Sequence, residues 1–184
     1  MRYVFKKIKV NSSFYKRIFF YNLDLDQDFN SIILNSNEKR SIYPMTNKKA
    51  CYCQAIKLLY RATRDGYTRI AFNSKFDGKA NTITIIQNNL NYVFGGYASE
   101  AWNSYKEWIE DRNAFIFSLR RNGISINEKF QITKPQQAFC IDQSFALFSF
   151  GGCDIHVVTN SNAVTSSLTD FGNAYKLPEE TFDF

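Results

Sequence analysis

The sequence predicts an α+β or antiparallel sandwich fold. About seven short segments have the alternation or the continuous apolar character of β-strands, whereas only two have helical spacing. The two types do not alternate in the βαβ rhythm that accompanies a parallel sheet. The chain has 184 residues, of which 45% are hydrophobic and 22% charged. This is the profile of one globular domain, and it excludes disordered, collagen-like and fibrous proteins.

The first predicted helix covers residues 47–63. It follows a loosely alternating leader at residues 3–21 and a polar stretch at residues 22–37. Thr46 offers an N-cap, and Asp65-Gly66 offers a stop. One helical face is indicated by residues spaced three or four apart: Cys51, Ala55, Leu58 and Ala62.

The pattern changes to the strand period after Tyr67. Residues 69–72 are predicted to form a strand, followed by a turn at Asp77-Gly78. Residues 82–85 alternate polar and β-branched side chains, and we expect them to form a hairpin with residues 90–94.

Two glycines then predict a break in the chain's strand pattern. Gly95-Gly96 is expected to end the second strand of the hairpin. Ser99 is expected to cap a short helix. That helix would carry Trp102, Tyr105 and Ile109 on one face.

The most apolar run, residues 114–119, predicts a strand buried on both faces at the centre of a sheet. Asn122-Gly123 has the tolerance for positive φ that a type I′ turn needs, and it leads residues 124–126 into a second hairpin. The last two predicted strands flank a glycine pair: residues 145–150, Gly151-Gly152 and residues 154–159.

The positive charge is confined to an N-terminal arm, residues 1–23. The net charge is +6, and this arm holds six cations and no acid: Arg2, Lys6, Lys7, Lys9, Lys16 and Arg17. The neutral remainder argues against a basic groove and against nucleic acid as a partner of the fold. The arm itself fits three interpretations: a strand or helix with a solvated basic face, a weak peripheral contact with anionic lipid or nucleic acid, or an organelle-import segment.

No apolar run approaches the roughly 18 to 20 residues that span a bilayer, and no signal-peptide pattern opens the chain. We therefore expect a soluble, unsecreted protein. Its four cysteines are too few for a disulfide-stapled fold and are expected to be reduced. They are Cys51, Cys53, Cys140 and Cys153.

Residues that could carry chemistry do not assemble into a recognisable constellation. Cys51 and Cys53, two apart in a predicted helix, point in different directions and cannot share a metal ion. His156, the one histidine, would share a strand face with Asp154, but no nucleophile elbow or phosphate loop accompanies it. We expect no catalytic residue, no metal and no cofactor.

Two aspartates in turns have a different setting. Asp65 and Asp77 each precede a glycine and lie near cations in the sequence. The simplest interpretation is that they satisfy local backbone amides. The alternative is a polar binding surface made of Arg61, Arg64, Asp65, Lys75 and Asp77.

Several segments carry the signature of one domain family, in the right order and spacing: residues 58–67, 71–79, 82–86, 94–99 with Trp102, 114–119, 150–155, and 171–175 with Pro178. They resemble the TLDc domain of oxidation-resistance proteins over residues 41–178. The resemblance implies a sandwich of two antiparallel sheets with a few flanking helices.

The chain departs from the family pattern at named positions. Asn73 and Phe76 stand where the family usually has histidine and cysteine, so chemistry by that pair cannot apply here. We divide the chain into a basic aromatic arm with a polar linker, residues 1–40, and a TLDc-like domain, residues 41–184. The family's last strand is expected to be missing, and the arm is a candidate to fill its position in the sheet.

The resemblance implies a non-enzymatic interaction module in oxidative-stress resistance, which binds and regulates a V-type proton ATPase through its peripheral subunits. The implied location is the cytoplasm, at the endolysosomal or vacuolar membrane, with mitochondria as the lesser alternative. The alternative function is a thiol protein that consumes peroxide through Cys140 or Cys153. Such chemistry needs an exposed thiolate beside a cation, and neither cysteine has a neighbouring Lys or Arg in the sequence.

Overall fold

Two antiparallel sheets form the fold. A computed structural model describes residues 15–22, 33–46, 57–105, 107–141 and 146–176. The larger sheet contains β1 (Tyr15–Asn22), β2 (Lys57–Arg61), β3 (Thr82–Asn88), β4 (Val93–Ala98), β5 (Phe115–Arg121) and β6 (Ile124–Gln131). The smaller sheet contains β7 (Phe139–Cys140), β8 (Ala146–Phe150) and β9 (Ile155–Val158). The strand orders are β2-β1-β3-β4-β5-β6 and β7-β8-β9.

The helices are short. They are α1 (Ser36–Met45), α2 (Ala62–Asp65), α3 (Arg69–Phe76), α4 (Gly151–Asp154) and a 3-10 turn at Pro135–Gln137. Within the described ranges, none is long and apolar enough to cross a membrane. Strands dominate, and the predicted α+β, mainly-β sandwich is confirmed.

The larger sheet is covered on both faces. On one face, Ile83 and Ile85 of β3 pack in a cluster with Ile42 of α1. On the other face, Ile86 packs in a second cluster with Phe148 of the smaller sheet. Because successive strand residues point to opposite faces, β3 needs apolar or satisfied side chains at nearly every position.

The prediction for residues 114–119 is confirmed in its burial and wrong in its position. Phe115 and Phe117 join the cluster on the α1 side, and Ile116 joins the cluster between the sheets. However, β5 is the second strand from the β6 edge, and β3 and β4 occupy the centre. A continuous apolar run indicates that both faces of a strand are buried. A strand away from the centre of a sheet can also be buried on both faces.

The two predicted hairpins form: β3 pairs with β4 and β5 with β6, both antiparallel. The two strands predicted on either side of Gly151-Gly152 also pair, as β8 with β9. The turn between β5 and β6 has positive φ at Asn122 (50°) and Gly123 (83°), as a type I′ turn requires.

Part of the predicted arm lies inside the larger sheet. β1 pairs antiparallel with both β2 and β3, so that Phe19 lies opposite Arg61 on one side and Ile85 on the other. The remaining arm residues lie outside the described ranges. The division of the chain at residue 40 and the replacement of a missing last strand stay predictions.

The predicted helix at residues 47–63 is wrong over residues 57–61. Residues 47–56 lie outside the described ranges, and Lys57–Arg61 is the strand β2. Its partner β1 is distant in sequence, so the local period gave no sign of the pairing. The end of the prediction is correct, because residues 62–63 lie in the short α2 and Gly66, at φ 96°, ends that helix.

The predicted strand at residues 69–72 is the start of α3. Thr68 caps this helix by accepting the Ala71 N–H at 3.3 Å. Phe72 and Phe76, four residues apart, turn to the core and stack with ring centroids 4.6 Å apart. This spacing in the sequence was a helical signal.

The short helix predicted after Ser99 does not form in the described residues. The Ser99 hydroxyl donates to Asp111 Oδ1 at 2.6 Å and caps no helix. Trp102 is 1% exposed and Tyr105 87% exposed, so the two do not share a face.

Gly95 and Gly96 do not break β4, contrary to the prediction. Both lie inside the strand and are buried. A Cβ at Gly96 would lie 2.7 Å from Phe150 Cζ, and one at Gly95 would lie 1.8 Å from the Thr84 carbonyl oxygen. Gly96 is required because the smaller sheet places the Phe150 ring directly on β4, and Gly95 is required because the backbone of β3 approaches it closely.

We predict that Gly96→Ala lowers the free energy of unfolding by about 1–3 kcal/mol, because the added methyl overpacks the Phe150 ring. Urea unfolding measures this loss. In the Phe150→Leu background the same substitution should cost less, since the smaller side chain leaves room. An equal cost in both backgrounds would contradict the contact.

Candidate functional site

The five predicted site residues lie on one segment. Arg61 ends β2, Arg64 and Asp65 lie in α2, Lys75 lies in α3, and Asp77 follows α3. We call the exposed side of this segment, defined by these five residues, the α2–α3 surface.

Asp65 is the centre of a local hydrogen-bonded cluster. Arg64 Nε donates to Asp65 Oδ1 at 2.9 Å and Arg64 Nη2 to Oδ2 at 2.8 Å. The Arg61 backbone N–H also donates to Oδ2, at 2.9 Å. Chiefly through Arg64, and against the opposing effect of burial, these donors hold the pKa of Asp65 below its ordinary value. The Arg64 side chain is 52% exposed and that of Asp65 16%, so the pair presents its cation to solvent.

Asp77 joins two distant parts of the chain. Its Oδ1 accepts the Ser104 N–H at 2.9 Å, and its Oδ2 accepts the Ser104 hydroxyl at 3.0 Å. The turn after α3 is thereby fixed to the loop after β4. The simpler interpretation, an aspartate that satisfies local amides, fits Asp65 but not Asp77.

The remaining two cations lie close to this cluster. Arg61 Nε donates to Thr63 Oγ1 at 3.0 Å, and its guanidinium carbon lies 5.7 Å from the centroid of the Phe19 ring. Lys75 is exposed, and its charge contributes to the low pKa of Asp65. The structure thus groups three of the other four residues, Arg61, Arg64 and Lys75, around Asp65. That they bind a partner stays a prediction.

The sequence pairing of Asp154 with His156 on one strand face is wrong. Asp154 ends α4 and is buried. Its carboxylate accepts the backbone N–H groups of Gly172, Asn173 and Ala174 at 2.8–3.1 Å. Burial raises the pKa of Asp154 despite these amides. Asp154 therefore has a structural role: it holds in place the loop that carries these three amides.

His156 instead has a serine partner across the strands. Its Nδ1 lies 2.7 Å from Ser149 Oγ. Ser149 is 2% exposed, so its hydroxyl is shielded from an external substrate. Among the described residues, no group of three His, Cys, Asp or Glu side chains could hold a metal ion.

Of the described cysteines, Cys140 is buried and Cys153 is exposed. The thiol alternative therefore narrows to Cys153 in this part of the chain. Cys51 and Cys53 lie outside the described ranges. Phe76, at the family's usual cysteine position, is fully buried in the aromatic core.

Sequence reasoning missed a buried ion pair that fixes α1 to the sheet. Arg120 donates to Glu38 through Nε at 2.8 Å and Nη2 at 2.7 Å, and Glu38 is fully buried. Glu38 Oε2 accepts the Asn35 N–H, and Asn35 Oδ1 accepts the Glu38 N–H, each at 2.9 Å. This reciprocal pair is a capping box, and the Asn-x-x-Glu spacing was a signal for it.

A family comparison agrees with the fold and the motifs. The TLDc domain model matches residues 27–183. The chain belongs to the TLDc domain family. The predicted resemblance is confirmed, and the TLDc match begins earlier than residue 41, where the predicted resemblance begins. No curated protein matches this TLDc chain.

We predict that Asp65→Asn costs roughly 0.2–1 kcal/mol at neutral pH, as expected for a surface ion pair. Asparagine retains an acceptor for the Arg61 N–H, so the loss of stability measures the contribution of the Asp65 charge. The pKa of Asp65 is lower in the folded state than its unfolded value of about 3.9. The stabilisation is therefore present above that pH and is lost as the pH falls through the folded pKa.

Urea unfolding of both proteins between neutral pH and about pH 3 tests this prediction. The stability difference should narrow on acidification. In an Arg64→Ala background it should be small at every pH. A difference that widens as the pH falls would refute the assignment.

Proposed function

We propose that this TLDc protein is a non-enzymatic docking module that binds and regulates a V-type proton ATPase through its peripheral subunits. Membership of the TLDc family supports a role in oxidative-stress resistance. With this partner the protein would work in the cytoplasm, on the endolysosomal or vacuolar membrane. The ATPase subunits would bind to the α2–α3 surface.

The proposal rests on a difference between the buried and the exposed charged groups. The buried carboxylates have structural partners: Glu38 binds Arg120, Asp111 binds Ser99, and Asp154 binds three backbone amides. These interactions leave them no evident role in acid-base chemistry.

The exposed charges have the opposite character. Arg64 is fixed in direction by its two hydrogen bonds to Asp65 and still presents half of its side chain to solvent. Lys75 is exposed one helix further along. Oriented charges on a rigid scaffold favour recognition of a protein partner, because they steer and select it.

The experiment is binding of the whole chain to purified peripheral subunits of a V-type ATPase. We predict that Arg64→Ala weakens binding about tenfold, since it removes an oriented cation from the contact. Arg112→Ala is the matched control, because Arg112 is also exposed and pairs with Glu110 only at 3.5 Å.

Binding should be unchanged in the control variant. Circular dichroism and urea unfolding confirm that both variants remain folded. Failure of the unsubstituted chain to bind any peripheral subunit over a range of salt concentrations would refute the proposal.

A further inference from the structure

The outward face of α3 carries an exposed apolar side chain. Phe72 and Phe76 face the core, and at 100° per residue the opposite side of the helix holds Ile70 and Ser74. Asp77 follows directly after the helix. The outward side of a surface helix is normally polar, yet Ile70 is 84% exposed.

A second exposed apolar side chain lies at the other end of this face. Asp77 binds Ser104 through both carboxylate oxygens, and the next residue is Tyr105. The Tyr105 N–H donates to Asn103 Oδ1 at 2.8 Å, which fixes the local backbone. Its side chain is 87% exposed. We call the surface formed by Ile70, Ser74, Asp77, Ser104 and Tyr105 the α3 strip.

The length of the strip follows from helix geometry. The seven residue-to-residue steps from Ile70 to Asp77 advance about 10 Å along the helix axis. Ile70 and Tyr105 are 84% and 87% exposed, so neither side chain covers the other. They are separate anchors on one elongated surface.

The charge at the α3 end of the strip is positive, whereas Glu107, two residues after Tyr105, is an exposed acid at the other end. Residues 61–79 hold five cations and two acids. Both acids have partners within the protein, Asp65 on Arg64 and Asp77 on Ser104. Lys75 and Lys79 are exposed and form no ion pair within the described part of the chain.

We propose that the α3 strip binds an acidic, extended polypeptide segment whose apolar side chains contact Ile70 and Tyr105. This inference rests on the proposed function and specifies the chemistry of the partner. Carboxylates of the segment pair with Lys75 and Lys79, and the tyrosine supplies the type of anchor that dominates protein interfaces. A second copy of this chain is a poorer occupant, because its net charge is also +6 and like charges repel.

The first test uses a synthetic probe and NMR of the isotopically labelled whole chain. The probe is an acidic peptide with the core Leu-Glu-Glu-Glu-Leu, whose leucines lie about 13 Å apart when extended. A second peptide replaces each Glu with Lys. The acidic peptide should shift the amide signals of Ile70, Ser74 and Tyr105, and the basic peptide should not. Shifts centred on another surface, or an equal response to both peptides, would overturn the proposal.

Matched variants separate charge from apolar contact. Lys75→Glu/Lys79→Glu and Ile70→Ser/Tyr105→Ser should each weaken acidic-peptide binding about tenfold or more. Lys134→Glu and Ile124→Ser change exposed residues of the same types elsewhere and should leave binding unchanged. An equal loss of peptide binding in the control variants would show that the peptide binds nonspecifically, and it would overturn the proposal.

The same variants distinguish this inference from the proposed function. If peripheral ATPase subunits bind the unsubstituted chain and both strip variants equally well, the docking function stands and the strip is wrong. If the acidic peptide binds the strip but no ATPase subunit binds the chain, the strip is a binding site and the proposed ATPase partner is wrong.

Discussion

Burial of Trp102 between the two sheets and α3 is the constraint on which the rest of the structure depends. Its ring centroid lies 4.5 Å from that of Phe139 in the smaller sheet, and its Nε1–H donates to Thr82 Oγ1 in the larger sheet at 2.7 Å. Its main chain accepts the Gly78 N–H at 2.8 Å and donates to the Lys79 carbonyl at 3.1 Å. One side chain therefore fixes both sheets, and its backbone fixes the end of α3.

This arrangement explains how a small surface segment is held in place, as the proposed docking role requires. Phe72 and Phe76 attach α3 to the same aromatic cluster as Trp102, while Asp77 attaches the helix end to Ser104. Preorganised residues lose little conformational freedom on binding, so more of the contact energy appears as affinity. The scaffold thus favours a docking role even though the exposed contact residues are few.

Two elements that depend on local sequence were predicted well. The burial of residues 114–119 and the turn at Asn122-Gly123 are determined by the residues within them. Long-range effects decided two failures: β2 needs β1 as a partner, and Gly96 is explained by Phe150, which is distant in sequence. The error at residues 69–72 was local, because the spacing of Phe72 and Phe76 is helical. At the site, the Arg64–Asp65 pair is local, whereas the bond from Asp77 to Ser104 spans 27 residues and has no sequence pattern.

Photo-crosslinking tests the central claim, that the protein docks a partner through the side of α3 that faces solvent. A benzophenone amino acid is placed at Ser74, on that side, or at Ser125 of β6, an exposed serine on a different element. Each protein is mixed with purified peripheral V-type ATPase subunits and irradiated. The account predicts a covalent adduct from position 74 and none from position 125. An adduct from position 125 alone, or equal adducts from both, would contradict it.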